Sequence, residues 1–332
     1  MTLAAALSDL ELEFIDGVVG SSISDKALPK TSDYDRPGDP VLGARRGHIN
    51  AIQEVVRRNI SSALIMEDDA DWDVRIRGQL QNFALSSHAL IQPLARTGHI
   101  TYADVTYPTP SDTSPSSVPD MEFSSLPLTL GPLSSPYGDE WDVLWLGHCA
   151  MHFPSVEGKL LPKGRVVQFD ETVPERKYLW SIALVDDLRE QYPDHTRVTH
   201  HAEAGCCSLA YAVTQKSARK MLYELALKDV NTAFDLMVAQ FCDGNGEPNR
   251  GRHNCLTTMP SLFNIHLPAG ARNHESDISD HGPGYSQEPV TEIVRTSVKM
   301  NALALMEGRT DLVDAHPDSL PAVSNCEGDC TT

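Results

Sequence analysis

At 332 residues and 41% hydrophobic content, the chain is long enough to bury a core and to form one large or two small domains. Its net charge of -19 sets it against nucleic-acid backbones and anionic membrane surfaces, leaving small sugars, metal-held nucleotides and proteins as partner classes. No apolar run approaches the ~20 residues that a membrane-spanning helix needs, and residues 1–10 have neither a basic start nor a signal-like apolar core.

In chain order, Met1 to Leu10 reads as the end of a helix, and Leu12 to Val19 as a strand. Residues 21–42, rich in Ser, Asp, Pro and Gly, read as a loop. Between Gly43 and Asn59, the residues Ile49, Ile52, Val55 and Val56 recur at helical spacing, and this helix feeds the apolar run Ala63-Leu64-Ile65-Met66, which reads as a buried strand. A second helix is predicted over Val74 to Leu94. Residues 105–138 collect Pro and Ser with little periodicity and read as an irregular, partly disordered insertion.

Trp141 to Gly147 then reads as a short buried strand, Arg165 to Val173 as an exposed one, and Ser208 to Val213 as another. Thr214 is placed to cap a helix running to Leu227, and a further helix spans Thr232 to Phe241. Leu256 to Ile265 returns to strand or extended chain. Beyond Ala269 the chain becomes polar, with one helix predicted at Lys299 to Glu307 and a frayed end. Helices that feed strands predict an α/β fold, and no internal repeat is present.

The chemistry concentrates where the run Ala63–Met66 meets Glu67, Asp68, Asp69, Asp71 and Asp73, five carboxylates within seven positions. If the strand continues, side chains alternate, so Glu67 and Asp69 face one side with the two-residue spacing of hard oxygen ligands, and Asp68 faces the other. A divalent cation between such carboxylates relieves their repulsion; a solvated acidic turn is the alternative. His48, on the face of an amphipathic helix, has the character of a buried, hydrogen-bonded histidine. His200 and His201 lack the i, i+4 spacing of a helical metal site and read as loop residues, and Trp72 and Trp145 as core.

Of the seven cysteines, Cys149 stands alone and Cys206 and Cys207 are adjacent, which matches no disulfide framework or zinc pattern. Cys242 with Cys255, and Cys326 with Cys330, are spaced to form disulfides and are equally compatible with free thiols. Asn59-Ile60-Ser61 is a glycosylation sequon.

Several separated stretches share their order with one family: Glu-Phe-Ile-Asp-Gly-Val at 13–18, Gly43-x-x-x-Gly47-His48, Ala-Leu-Ile-Met-Glu-Asp-Asp at 63–69, Trp141 to Gly147, Tyr211-Ala212-Val213-Thr214, Phe234-Asp235 and Ser276-Asp277-Ile278. Together they resemble family 25 of the glycosyltransferases, which includes lipooligosaccharide and procollagen galactosyltransferases and many fungal relatives. The likeness spans residues 1–280. Family members usually open with a strand and a basic stretch of the kind Ile-Asn-Leu-x-x-Arg-x-x-Arg-Arg that helps to hold the nucleotide, and this chain reads as starting just after it. It also has Ala44 and Gly47 where the family has a Cys or other small residue and a Ser.

The resemblance implies an A-type glycosyltransferase fold, a Rossmann-like mixed sheet flanked by helices, over residues 1–280, with residues 281–332 as a C-terminal tail. It implies a UDP-sugar donor, most often of galactose, a hydroxyl acceptor on a glycan or protein, and a divalent ion, typically Mn2+, held by Glu67 and Asp69. Gly43, His48 and Asp68 would then line the nucleotide pocket, and Asp235 would be the general base of an inverting transfer; without the family match, Asp235 reads as a helix-dipole partner. His266, His274 and His281 stand equally as a further metal ligand. A secretory-pathway location follows from the family, and the departures leave a non-catalytic binding protein and a metal-dependent hydrolase as alternatives.

Overall fold

The computed structural model describes residues 1–29, 36–111, 113–155, 161–179, 186–228, 232–246, 250–272, 276, 278 and 283–319. Its elements in the first half are α1 (Thr2–Leu7), α2 (Asp39–Arg57), β1 (Ser62–Met66), β2 (Ala70–Trp72), α3 (Ile76–Ile91), β3 (Met121–Glu122), β4 (Val143–Gly147) and β5 (Ala150–His152). There follow β6 (Arg165–Phe169), α4 (Asp186–Gln191), β7 (Thr196–His201), β8 (Glu203–Cys206), β9 (Ala210–Thr214), α5 (Gln215–Met221) and α6 (Phe234–Asp243). The last are β10 (Cys255–Met259), β11 (Phe263–Leu267), β12 (Gly270–Ala271), β13 (Tyr285–Ser286), β14 (Val290–Thr291) and α7 (Ala302–Met306).

Seven strands form a mixed sheet in the order β1-β9-β4-β10-β7-β6-β3, parallel at β4–β10 and β3–β6 and antiparallel elsewhere. The chain is therefore α/β, as its helix and strand patterns predict. Strand β4 shows why its sequence is a continuous apolar run: Val143 and Trp145 join a core with α2, α5 and α6, while Leu144 and Leu146 join the opposite core with α1 and α3. Both faces of the strand are covered. Thr214 caps α5 as expected, its hydroxyl accepting from Ser217 N at 3.0 Å. Trp72 and Trp145 are core residues.

Three expectations are corrected. Leu12 to Val19 forms no strand: the segment finds no ladder partner, leaves Phe14 60% and Val19 71% exposed, and lies along α2 through an ion pair between Glu13 and Arg58. Strand β1 is an edge strand paired only with β9, so Leu64 is half-exposed rather than buried. His200 and His201 are not loop residues but lie fully buried in β7, an inner strand paired with β10 and β6, whose sequence Thr-Arg-Val-Thr-His-His carries no apolar alternation. The described residues of the insertion 105–138 are largely irregular. It adds β3 to the sheet, and Asp139 accepts from Leu133 N at 2.8 Å and Ser134 N at 2.7 Å.

Part of the expected polar tail is also structural. Strand β14 pairs with β11, β11 pairs with β2, and Val298 is buried in the core. Two carboxylates of the acidic stretch fasten this segment. Asp71, fully buried, accepts from Thr291 Oγ1 at 2.7 Å, from Lys299 N at 3.2 Å and from the Ser297 hydroxyl, and Asp73 accepts from Thr296 N at 3.1 Å. Residues 320–332, with Cys326 and Cys330, lie outside the described residues. Replacing Asp71 by Ala leaves several of these donors unpaired in the interior, and the cost is expected to be on the order of 3 kcal/mol. Chemical denaturation should show that loss, and limited proteolysis should cut near residues 290–300; an unchanged midpoint and cleavage pattern would reject the clasp.

Candidate functional site

Strand β1 ends at Met66, and residues 67–70 turn into β2, with Ala70 N donating to Glu67 O at 3.3 Å. The strand alternation expected for Glu67, Asp68 and Asp69 is therefore replaced by a tight turn. It still separates them, since Glu67 and Asp69 are partly buried and Asp68 is exposed.

Glu67 is tied to α2 and to the start of β9. Its Oε1 accepts from Ser208 Oγ at 2.7 Å and lies 3.3 Å from His48 Nε2. His48 in turn has Nε2 3.2 Å from Ser208 Oγ and Nδ1 3.1 Å from the Tyr211 hydroxyl, and its ring stacks on Phe234 at 4.3 Å. Burial opposes the Glu67 charge, but His48 and Ser208 more than offset it and hold its pKa below the usual range. Because Glu67 and Ser208 share the same nitrogen of His48, the three do not make a nucleophile–base–acid relay.

Asp69 has the opposite balance. Burial, then the charges of Glu67 and Asp68, push its pKa up to about 6, against a smaller lowering by Lys299. Its Oδ1 is buried without a hydrogen-bond partner among the described residues. The Lys299 ammonium donates to the Asp68 carbonyl at 3.2 Å, and burial lowers its own pKa despite Asp71, Asp69 and Asp68.

Asp235 stands in the first turn of α6 and accepts from Cys207 N at 2.8 Å. The next residue, Ser208, is the one bonded to Glu67, so a two-residue link joins Asp235 to the acidic turn. Cys207 is held in the left-handed region at φ 62° and forms a disulfide with Cys149, whose neighbour Ala150 pairs with Cys206 across β5 and β8. At the other end of α6, Asp243 accepts from Ala204 N at 3.2 Å, and burial, with Glu203 adding to it, raises its pKa to about 7.

The disulfide between Cys242 and Cys255 forms, whereas the one joining Cys149 to Cys207 has no signal in the spacing of the cysteines. Gly43 is required by packing, since a Cβ there would meet Val18 O at 2.5 Å. His266 has its Nδ1 2.8 Å from Thr291 Oγ1 and 3.7 Å from Asp71 Oδ2, so it faces the buried clasp. His274, His281 and Asp277 lie outside the described residues. Ser208, which read only as a strand residue, and Tyr211, which read as part of a family motif without a role, are the contacts that sequence reasoning missed.

Asp69, with its buried, unpaired oxygen, is the group best suited to a hard cation, with Glu67 two residues away. Among the described residues no group of three or more His, Cys, Asp or Glu stands ready to enclose a metal ion.

No family model, curated protein or solved structure matches this chain.

The Asp69 pKa of about 6 lies above the ordinary 3.8, so the folded state prefers the neutral acid and loses stability as pH rises from about 4 through about 6. Asp69→Asn should accordingly melt higher than the parent at pH 7.5 in chelator, by on the order of 2 kcal/mol or less, with the difference vanishing near pH 3.5. Equal stability at both pH values would disprove the strain.

Proposed function

We propose that the chain is a metal-assisted, inverting glycosyltransferase that moves a hexose, galactose in the first instance, from a UDP-sugar to a hydroxyl of a glycan or protein. The observation that carries this reading is the link through Cys207 and Ser208, which ties the carboxylate of Asp235 to an acidic turn whose Asp69 is under-neutralised. The finer fold assignment, an A-type glycosyltransferase sheet, is part of the same proposal.

In this scheme Asp69 and Glu67 would hold the cation, which offsets the charge of the departing diphosphate. His48 and Ser208 keep Glu67 ionised and oriented. Asp235 has Oδ2 fixed by the Cys207 amide, leaving Oδ1 to take the proton of the acceptor hydroxyl on the face opposite the leaving group. Two disulfides in the described residues suit an oxidising compartment, in keeping with a secretory enzyme.

A second reading, a binding protein that performs no transfer, draws on the engagement of Glu67 by Ser208 and His48, which leaves Asp69 as the sole under-neutralised ligand. Products separate the readings: transfer releases UDP and a glycosylated acceptor, hydrolysis needs no acceptor, and a binding protein releases neither.

Calorimetry should show UDP binding that depends on millimolar Mn2+, and Asp69→Ala should abolish it while leaving the fold intact. Metal-independent UDP affinity, or none, would sink the proposal. Asp235→Asn retains size but loses basicity, so UDP affinity should stay near that of the parent while turnover falls roughly a hundredfold. Retained turnover would move the base elsewhere, first to Asp243.

A further inference from the structure

The turn between α2 and β1 holds the chain's one Asn-x-Ser/Thr triplet, Asn59-Ile60-Ser61, and nothing in the candidate site uses it. The fold accounts for its first two residues. Helix α2 ends in a left-handed turn: Asn59 has φ 56°, its amide donates to Val56 O at 3.2 Å, and the Ile60 amide donates to Val55 O at 3.0 Å. Asparagine is one of the few L residues that enter this region readily, and Ile60 packs back on the core that holds Val55. A helix end of this kind makes no demand on position 61.

Ser61 is exposed, and its hydroxyl makes no hydrogen bond among the described residues. Asn59 is exposed as well. Its Oδ1 accepts from Gln215 Nε2 at 2.6 Å, while Nδ2, the atom to which a sugar would be joined, donates to nothing among the described residues. Arg57, Arg58 and Ser62 beside them are also exposed, so a bulky substituent on Nδ2 meets solvent rather than packed side chains. A separate observation bears on the compartment: Cys149 is bonded to Cys207 and Cys242 to Cys255, and structural disulfides belong to the oxidising environment in which asparagine is glycosylated.

We propose that Asn59 is an N-glycosylation site, with a lipid-linked diphospho-oligosaccharide as the donor. A bond forms between Asn59 Nδ2 and the anomeric carbon of the first sugar as the bond from that carbon to the diphosphate oxygen breaks. The lipid diphosphate leaves with the electron pair, and one amide proton is released. The Ser61 hydroxyl is the recognition element two residues on, and Ile60 stands where proline would block the motif. The inference does not rest on the transfer reading, since β1 lies between Asn59 and the acidic turn that follows Met66.

Protein purified from the cells that make it should run lower on a denaturing gel after treatment with peptide N-glycosidase. The peptide spanning position 59 should then carry aspartate there, because the amidase leaves an acid where the sugar was attached. For variants, the full chain is secreted from a eukaryotic host behind a cleavable leader. Asn59→Gly, which suits the left-handed helix end, and Ser61→Ala should each lose the gel shift completely, whereas Ser61→Thr should keep it. A native peptide with unmodified Asn59, or a shift that survives Asn59→Gly or Ser61→Ala, would overturn the proposal. If Asn59→Gly does not fold, the mass of the native peptide decides the matter, and neither readout depends on whether the chain binds UDP.

Discussion

The candidate site depends on the backbone at Cys207. A non-glycine residue at φ 62° sits in a region that L side chains enter at a cost of roughly 1–2 kcal/mol, and it stays there because its surroundings leave no alternative. Its side chain is locked to Cys149, its carbonyl accepts from Trp145 Nε1 at 2.9 Å, and its amide is turned onto Asp235. Ser208 follows directly and reaches Glu67. The same twist of chain therefore positions the groups proposed for proton removal and for cation binding, and it does so from the mouth of β9, a strand fixed on both edges by β1 and β4.

The acidic stretch has two different fates within seven residues. Asp71 and Asp73 are buried and fully occupied, drawing hydroxyl, amide and guanidinium donors onto themselves, and through them residues 291–299 close over β2. Glu67 is held ionised by its hydrogen bond from Ser208 and by its histidine neighbour. Asp69 receives neither treatment, and only a partly desolvated lysine stands near it. Burying a carboxylate next to two others without a full partner destabilises the protein, and functional sites are where such arrangements recur.

The two ends of the sheet differ in how their charges are matched. At the end reached by Met66, burial and the charges of Glu67 and Asp68 leave Asp69 under-neutralised; at the end reached by Thr214, Lys220 is paired with Asp142. Strands β9 and β4, flanked by the edge strand β1, run between them with side chains packed on both faces.

Local patterning was enough to reveal most of the elements. Periodicity placed α2, α3, α6 and β4 close to their observed bounds, and the cap at Thr214 was legible because capping is a contact between neighbours in the chain. The acidic cluster and the place of Asp235 on a helix start were legible for the same reason. Long-range pairing decided the rest. Leu12 to Val19 has strand composition, yet strands exist only where a partner's hydrogen bonds are within reach, and this segment has none. Polar β7 is a strand because β10 and β6 take up its backbone hydrogen bonds on both edges. No spacing rule joins Cys149 to Cys207, or His48 to Ser208 across 160 residues; such contacts arise when α2, β5, β8 and β9 meet. The sequence by itself determined which residues can bear charge and where helices start. Tertiary structure alone decided which of five neighbouring carboxylates are satisfied, because solvation and partners are properties of the folded surroundings and not of the chain.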